Sequence, residues 1–530
     1  MKNRQWFSRV LLVGFCGWGG TIEAALAQNP DIQLQVGVVQ RFGDNPKEKL
    51  ILKAPEGSAL VVRYEGGDGT LKTSNLPGIQ LEITPKSLPE PVLDERVVLS
   101  THRSFEDAEA KAMQWKSQGI EVEIVQPDRW EVWAKRDVYA TPLLRRRLLQ
   151  SVQAAGETLS NLQSQLKQNV PQAYWVANGY RYNRDRVEVI SNAGVIQVSQ
   201  GENAPIDTYG GSMRLQPNAY GDYTLINDVP LETYLRGVVP HEIGGGAPYE
   251  AVKAQAILAR TYALRNLRRF AADNYQLCAD VNCQVYEGLD GTNPDADAAI
   301  AQTAGQVLVY ENELVDALYS STTGGITATY KDIWEGVDRP YLTAKIDSAQ
   351  NIWDLPNNSL ADEQNIRRFI NLKKGFTEDD GNFFRWKYSE SLADMTAFMK
   401  RYFRRKNRPI LFNKILDLKV SERSPSGRVQ KMEVITDGGT IVIPKDEILT
   451  AFYAPISTLF YLDPIKEPDN KTLRGYSFVG GGFGHGVGLS QTGAAKLAEL
   501  GWTSDRILQF YYPGTELRPI DGSIVFWQEP

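Results

Sequence analysis

The sequence predicts an α+β chain, β-rich with a few key helices and carrying a small inserted α+β module. Three observations predict it. First, 45 glycines and 27 prolines in 530 residues break the apolar runs into short pieces. Second, many of those pieces alternate apolar and polar residues, the period of a half-buried strand. Third, two longer stretches, Phe105 to Gln118 and Pro248 to Arg269, carry apolar residues at helical spacing instead.

A length of 530 residues exceeds one hydrophobic core and suggests roughly two to four domains. With 42% apolar and 10% aromatic residues the chain is globular. A net charge of −6 lacks the basic face that duplex nucleic acid requires. Lys2, Arg4 and Arg9 precede a short apolar stretch, Val10 to Gly20, and Ala25-Leu26-Ala27 has the form of a cleavage site. Residues 1–27 therefore read as a signal peptide, with export to a periplasm or cell wall and no membrane-spanning segment in the mature chain. Removing that leader removes Cys16. Cys278 and Cys283 remain, as a disulfide or as two ligands of a metal site.

Strands are expected at Asp31 to Val39, Lys49 to Leu52, Ala59 to Tyr64 and Gln80 to Ile83, with the Pro-rich Thr84 to Pro91 as a linker. A β-α-β-β order follows: Val97 to Leu99, a helix from Phe105 capped by Ser104, then Val122 to Ile124 and Trp130 to Trp133. Leu143 to Gln168 reads as helix. Strands between Val187 and Ile226 are placed to continue the sheet begun at Asp31, which makes the Arg96 to Gln168 region an insertion. Pro248 suits the first turn of an Ala-rich helix, and Arg260 in its middle reads as a paired guanidinium as readily as a ligand contact. Further on, a hairpin is expected around Glu311-Asn312, helices at Asp295 to Ala304 and Ser391 to Phe403, and a helix after Ser490.

The chemistry centres on Asp228-Val229-Pro230-Leu231-Glu232-Thr233-Tyr234-Leu235, which runs on through Val238-Val239-Pro240-His241-Glu242. Val238-Val239 looks strand-like and Gly244-Gly245-Gly246 looks like a turn. Glu242 is then a carboxylate at a loop–helix junction, fit either for acid/base work or for favouring the helix N-terminus through the macrodipole. Three more motifs follow in order: Ala251 to Ala256 with Ala259-Arg260-Thr261-Tyr262-Ala263; Cys283-Gln284-Val285-Tyr286 with Ser320 to Gly325; and Gly484-His485-Gly486-Val487-Gly488-Leu489-Ser490-Gln491 with Tyr511-Tyr512-Pro513-Gly514.

Together these four motifs resemble the stage II sporulation protein D family, including the domain it shares with amidase-enhancer proteins, over about Tyr180 to Leu517. The β-α-β-β unit resembles a sporulation-related (SPOR) module that binds glycan strands stripped of peptides. The expected divisions are a leader at 1–27, an N-terminal β region at 28–91, a SPOR-like module at 92–140, a helical linker at 141–172 and a catalytic domain at 173–525. The resemblance implies a peptidoglycan lytic transglycosylase acting on denuded strands, with Glu242 as acid and then base, and a cell-wall amidase as a partner. A glycan-binding amidase enhancer without cleavage and a hydrolytic muramidase are the alternatives. His485, Ser320, Ser321, Thr322, Thr323, Gln491 and Tyr286 are the candidate substrate contacts. His485 could equally hold its Gly-rich loop, Ser490 could cap the following helix, and Tyr286, Trp334 and Tyr511 could stack on sugars or build core. No cofactor is expected. Some family members bind a metal through cysteines and a histidine beside the second one. Here that position is Asn282, which counts against zinc at Cys278 and Cys283.

Overall fold

A computed structural model describes residues 32–45, 47–406, 408–468 and 472–528. The leader expected at 1–27 lies outside them. Thirteen strands among the described residues form one large sheet. Gln33–Phe42 pairs antiparallel with Tyr223–Pro230, and Ile206–Pro217 and Val187–Ser199 continue outward to the strands Lys49–Lys53 and Leu60–Glu65. The strands before and after the insertion thus share one sheet, as their alternation suggested.

Strand Tyr223–Pro230 runs directly into the helix Leu231–Ile243. Leu231, Tyr234, Leu235, Val238 and Val239 are all buried. Their spacing of i, i+3, i+4, i+7 and i+8 is one face of a helix. The strand reading of Val238-Val239 is therefore corrected: the pair belongs to a stripe that begins seven residues earlier. Gly237 lets this helix lie against the segment 284–288. A Cβ there would stand 2.1 Å from the Gly288 carbonyl oxygen and 2.6 Å from the Tyr286 ring.

The next helix, Tyr249–Arg265, is buried on nearly every side. A helix that is apolar all round must lie inside the molecule, and this one packs against Leu231–Ile243, Pro294–Gln302, Gln491–Glu499 and Ser504–Tyr511. Its one central charge, Arg260, is 0% exposed. The guanidinium donates to both carboxylate oxygens of Glu232, at 2.8 and 2.7 Å, and to the Gln306 carbonyl at 3.1 Å. Arg260 is thus a structural cation that locks the two helices together.

Two parts lie on this frame. The first is the insertion. The Pro-rich stretch 84–91 is not a linker but the middle of one strand, Gly78–His102, paired with Asn161–Ala177 from Leu81↔Trp175 to Val98↔Asn161. Its side chains are largely exposed; Pro85 stands in register opposite Pro171, and an irregularity between Ser87 and Val92 takes up Pro89 and Pro91. The helix expected over Leu143 to Gln168 is shorter, Pro142–Ala154; the remainder enters the ribbon as strand. At the ribbon's tip, helix Phe105–Ser117 packs on strands Val122–Val125 and Trp130–Ala134 through Phe105, Ala108, Ala112 and Trp115. Ser104 caps that helix, accepting from the Asp107 amide at 3.2 Å.

The second part is a unit with its own core, around Trp386, Met395, Met399, Tyr402, Phe460 and Phe478. It contains the sheet Trp386–Ser391, Leu473–Gly480 and Phe460–Lys466, the meander Ile415–Arg423, Val429–Thr436 and Gly439–Pro444, and the helix Leu392–Arg405. The unit lies between Tyr319–Ser320 and Leu489–Ser490, which pair in parallel, while residues such as Tyr330, Trp334 and Leu342 in between still pack in the main core. The expected single domain at 173–525 therefore contains a second core.

Replacing Arg260 by Leu is expected to lower the unfolding free energy by about 1–3 kcal/mol, because it removes the charge-assisted hydrogen bonds to the half-buried Glu232 carboxylate. Denaturant unfolding measures this. The Glu232→Leu/Arg260→Leu double variant should recover part of the loss; a double variant no more stable than the single would refute the pairing argument.

Candidate active site

The last turn of Leu231–Ile243 carries His241 and Glu242. Glu242 follows Leu231 by eleven residues, about three helical turns, so it continues the buried stripe. It opens onto a cleft of about 600 Å³. Its position at a helix C-terminus, not an N-terminus, removes the capping role that the sequence left open, since the negative end of the macrodipole disfavours a carboxylate. His241 turns away, with Nε2 2.8 Å from the Asp290 carbonyl oxygen and Nδ1 3.3 Å from Glu287.

Burial pushes the Glu242 carboxyl above the usual glutamate range. Opposing this, the Val285 amide donates to Oε1 at 2.7 Å, and the nearby Tyr319 and Gln491 side chains favour the carboxylate without completing a well-aligned hydrogen bond to it. A buried polar chain stands behind it. Tyr234 donates to the Gln284 amide oxygen at 3.3 Å, and Gln284 Nε2 donates to the Tyr319 hydroxyl at 2.9 Å.

The same cleft is lined by Ser320, Ser321, His485 and Gln491. Ser320 Oγ and Gln491 Nε2 are buried and lack a geometrically sound hydrogen-bond partner among the described residues. They are groups a polar ligand would satisfy. Trp334 borders the cleft, 5.1 Å from the His485 ring. His485 itself is committed to the backbone. Nδ1 accepts from the Val487 amide at 3.0 Å, and the ring also hydrogen-bonds to the Tyr319 carbonyl. Burial, aided by Arg428, lowers its pKa to about 4, so the imidazole is neutral near pH 7. It therefore offers the cleft a ring surface in place of the hydrogen bond expected of it.

Three expected contacts lie elsewhere. Thr323 is fully buried behind the wall, donating through Oγ1 to Asp347 at 3.2 Å and Glu378 at 3.0 Å. The Thr322 hydroxyl accepts from the Gly324 amide at 3.2 Å. Tyr286 is buried against Gly237 and donates to Asn227 at 2.8 Å. Tyr511, also buried, bonds to Asp347. Ser490 is the cap of helix Gln491–Glu499, accepting from the Gly493 amide at 3.0 Å.

Sequence reasoning missed Tyr319, Gln284 and the Val285 amide as parts of the site, although all three stand in or beside quoted motifs. It also missed the insertion's share. Arg103, Ser104, Phe105, Glu106 and Trp130 form one wall of the cleft, and Asp446 and Ile456 of the second core form another. Glu106 pairs with Arg269, and Glu109 pairs with Arg268 at 2.6 Å. On the other side, Arg103 donates to the Asp446 carbonyl at 2.8 Å and Arg129 pairs with Glu447 at 3.0 Å. Besides Glu242 and the Arg269-paired Glu106, Asp446 is a further carboxyl on the cleft, pushed up to about 7 by burial.

Four ordered motifs now meet around one buried carboxyl. A family model described as a stage II sporulation protein matches residues 219–310, and one described as a domain of unknown function matches 328–488. The amidase enhancer of Bacillus subtilis is 27% identical, covering 89% of this chain and 68% of that protein. The stage II sporulation proteins D of Bacillus subtilis and Bacillus amyloliquefaciens are 27% and 25% identical, each covering 56% of this chain and 76% of theirs. These matches support assigning the chain to the stage II sporulation protein D family, with residues 219–310 carrying the family's domain. The first match holds the Glu242 helix, the Ala-rich helix and the cysteine loop; the second holds the separate core and ends within the Gly-rich segment.

The zinc considered for some relatives does not suit these residues. Cys278 and Cys283 are joined as a disulfide, which leaves no thiolate, and no group of three or more His, Cys, Asp or Glu among the described residues could hold a metal. The disulfide instead closes the short loop before Gln284-Val285, and so braces the amide that binds Glu242.

Two outcomes follow. Replacing both cysteines by serine should cost about 2 kcal/mol, the loop-closure value for so short a loop, read by denaturant unfolding. Glu242→Gln should stabilise the protein at neutral pH. A carboxyl whose folded pKa lies above its unfolded value destabilises the fold once pH passes the unfolded value, and contributes nothing below it. Thermal melting should show the gain near pH 7 and lose it in acid; a variant less stable at pH 7 would contradict the buried assignment.

Proposed function

We propose that the chain is an exported peptidoglycan lytic transglycosylase that cleaves the β-1,4 bond between N-acetylmuramic acid and N-acetylglucosamine in denuded strands. The observation that carries this reading is Glu242: a desolvated carboxyl with a raised pKa, held by one amide, at a cleft with unpaired polar groups. Protonated Glu242 donates to the glycosidic oxygen. The carboxylate so formed takes the proton of the muramyl C6 hydroxyl, whose oxygen attacks C1 and closes a 1,6-anhydro ring. One carboxyl thus serves as acid and then base, whereas hydrolysis normally employs two. Ser320 and Gln491 are suited to the N-acetyl groups, and the Trp334 and His485 rings to pyranose faces. The leader-like residues 1–27 support export, and the insertion's β-α-β-β order supports a SPOR-like glycan contact.

Two other readings have specific support. The name of the Bacillus subtilis relative, amidase enhancer, favours a glycan-binding partner of a cell-wall amidase. Asp446, another carboxyl on the cleft with a raised pKa, favours a hydrolytic muramidase. Mass analysis of digested denuded strands separates all three. Anhydro ends are expected; reducing ends would indicate hydrolysis, and no new ends a binder. Glu242→Gln should lose roughly 10²–10⁴-fold in rate, the usual contribution of a positioned acid/base, and equal activity would sink the assignment.

Because the acid form starts the reaction, kcat/KM should fall as pH rises through the raised pKa of Glu242. A pH–rate profile whose alkaline limb sits at the ordinary glutamate value would contradict it.

A further inference from the structure

The cleft does not end at the insertion. Arg103, Trp130 and Asn282 line both it and a second depression of about 230 Å³. Arg405 and Thr450 then join that depression to a third, again about 230 Å³. The continuous path is built by the insertion on one side and the second core on the other.

Its lining is chemically distinct from the catalytic cleft. Arg103, Arg129 and Arg405 border the middle depression, against one carboxylate there, Asp128. Arg129 is partly neutralised by Glu447 and Arg103 by Asp446. Arg401 and Arg405 stand exposed on helix Leu392–Arg405, and no described carboxylate pairs with either. At the far end Tyr453 is 76% exposed and stacks on Phe398, ring centres 5.5 Å apart and 17° from parallel. An exposed tyrosine ring backed by a half-buried phenylalanine is a platform for a flat apolar face, and exposed guanidiniums suit spaced carboxylates.

We infer that this groove is an extended binding site for a polysaccharide that bears a carboxylate on alternate sugars. The inference rests on the peptidoglycan reading and deepens it. Muramic acid carries a lactyl carboxyl that is an amide while the stem peptide is attached and a free carboxylate once it is removed. The arginines then select the denuded strand by charge, and Tyr453 with Phe398 supports a sugar ring beyond them. Discrimination between denuded and peptide-bearing strands is thereby placed in the two parts added to the main domain, remote from Glu242.

The test is binding, not cleavage. The full-length Glu242→Gln chain is titrated with denuded strands and with the same strands after their lactyl carboxyls are converted to methylamides. The Arg401→Ala/Arg405→Ala double variant, in the same background, should bind free-carboxylate strands about 5-fold more weakly, which corresponds to roughly 1 kcal/mol for two exposed ion pairs. Its affinity for the methylamide strands should equal that of its parent. Tyr453→Ala should weaken both strands alike. All three side chains are exposed, so the fold is retained. Equal binding of free-carboxylate strands by double variant and parent would overturn the inference, as would an equal loss on both kinds of strand. A carboxylate-dependent loss in a protein that yields no anhydro ends would keep the groove and remove the lytic reading; anhydro ends with no such loss would do the reverse.

Discussion

The bidentate contact between Glu232 and Arg260 holds the geometry of this molecule together. It joins the helix that carries Glu242 to the helix that fills the core, and the guanidinium also reaches the Gln306 carbonyl on the neighbouring strand. A cation with no exposure can persist only if nearly all its donors are satisfied. The pair therefore fixes the axial position of one helix against the other. Ten residues separate Glu232 from Glu242, close to three turns, so a pair at the start of the helix sets the height of the carboxyl at its end. Two motifs that look catalytic in the sequence are thus an anchor and what it anchors.

The cleft is then completed by parts that do not belong to that frame. Ion pairs attach the insertion to the main domain through Arg268 and Arg269, and to the second core through Asp446 and Glu447. These contacts surround the cleft and convert an open carboxyl at a helix end into one enclosed by three walls. Enclosure removes solvent from Glu242, and it is the removal of solvent that raises its pKa. The raised pKa of Glu242 accordingly depends on residues more than a hundred positions away in sequence.

How far all this was legible depends on the range of the interaction concerned. The Phe105, Ala108, Ala112 and Trp115 face was readable because helical period is local, and so was the hairpin at Glu311-Asn312, where both residues adopt positive φ. Val238-Val239 misled because two β-branched residues were weighed alone, while the decisive pattern began at Leu231. Thr84 to Pro91 misled because proline was read as a break; an exposed, bulged ribbon tolerates it. In the site, Ser320 and Ser321 could not be told from Thr322 and Thr323 by composition. Only the fold places Asp347 and Glu378 behind Thr323 and turns the Thr322 hydroxyl to the Gly324 amide. Tyr286 was similarly ambiguous, because the close approach permitted by Gly237 lies 49 residues away in the chain.

Those buried acids bear on the electrostatics of the site. Asp347, buried beside Glu378, has its pKa pushed up to about 8 and keeps its proton near neutral pH. Thr377, Tyr511 and Thr323 all bond to it, yet desolvation and the neighbouring carboxyl outweigh them. The wall behind the cleft thus holds two acids without two negative charges. Glu242 shows the same contest on the cleft side, where an amide, a phenol and a primary amide favour the carboxylate but burial prevails. The difference between them is what each faces. Asp347 is enclosed by hydroxyls of the fold and has no remaining partner to find. Glu242 shares its cleft with a serine hydroxyl and an amide nitrogen that the protein leaves unsatisfied. A raised pKa alone would not distinguish an acid sealed inside the fold from one open to a ligand; unmet hydrogen bonds beside it mark the second kind.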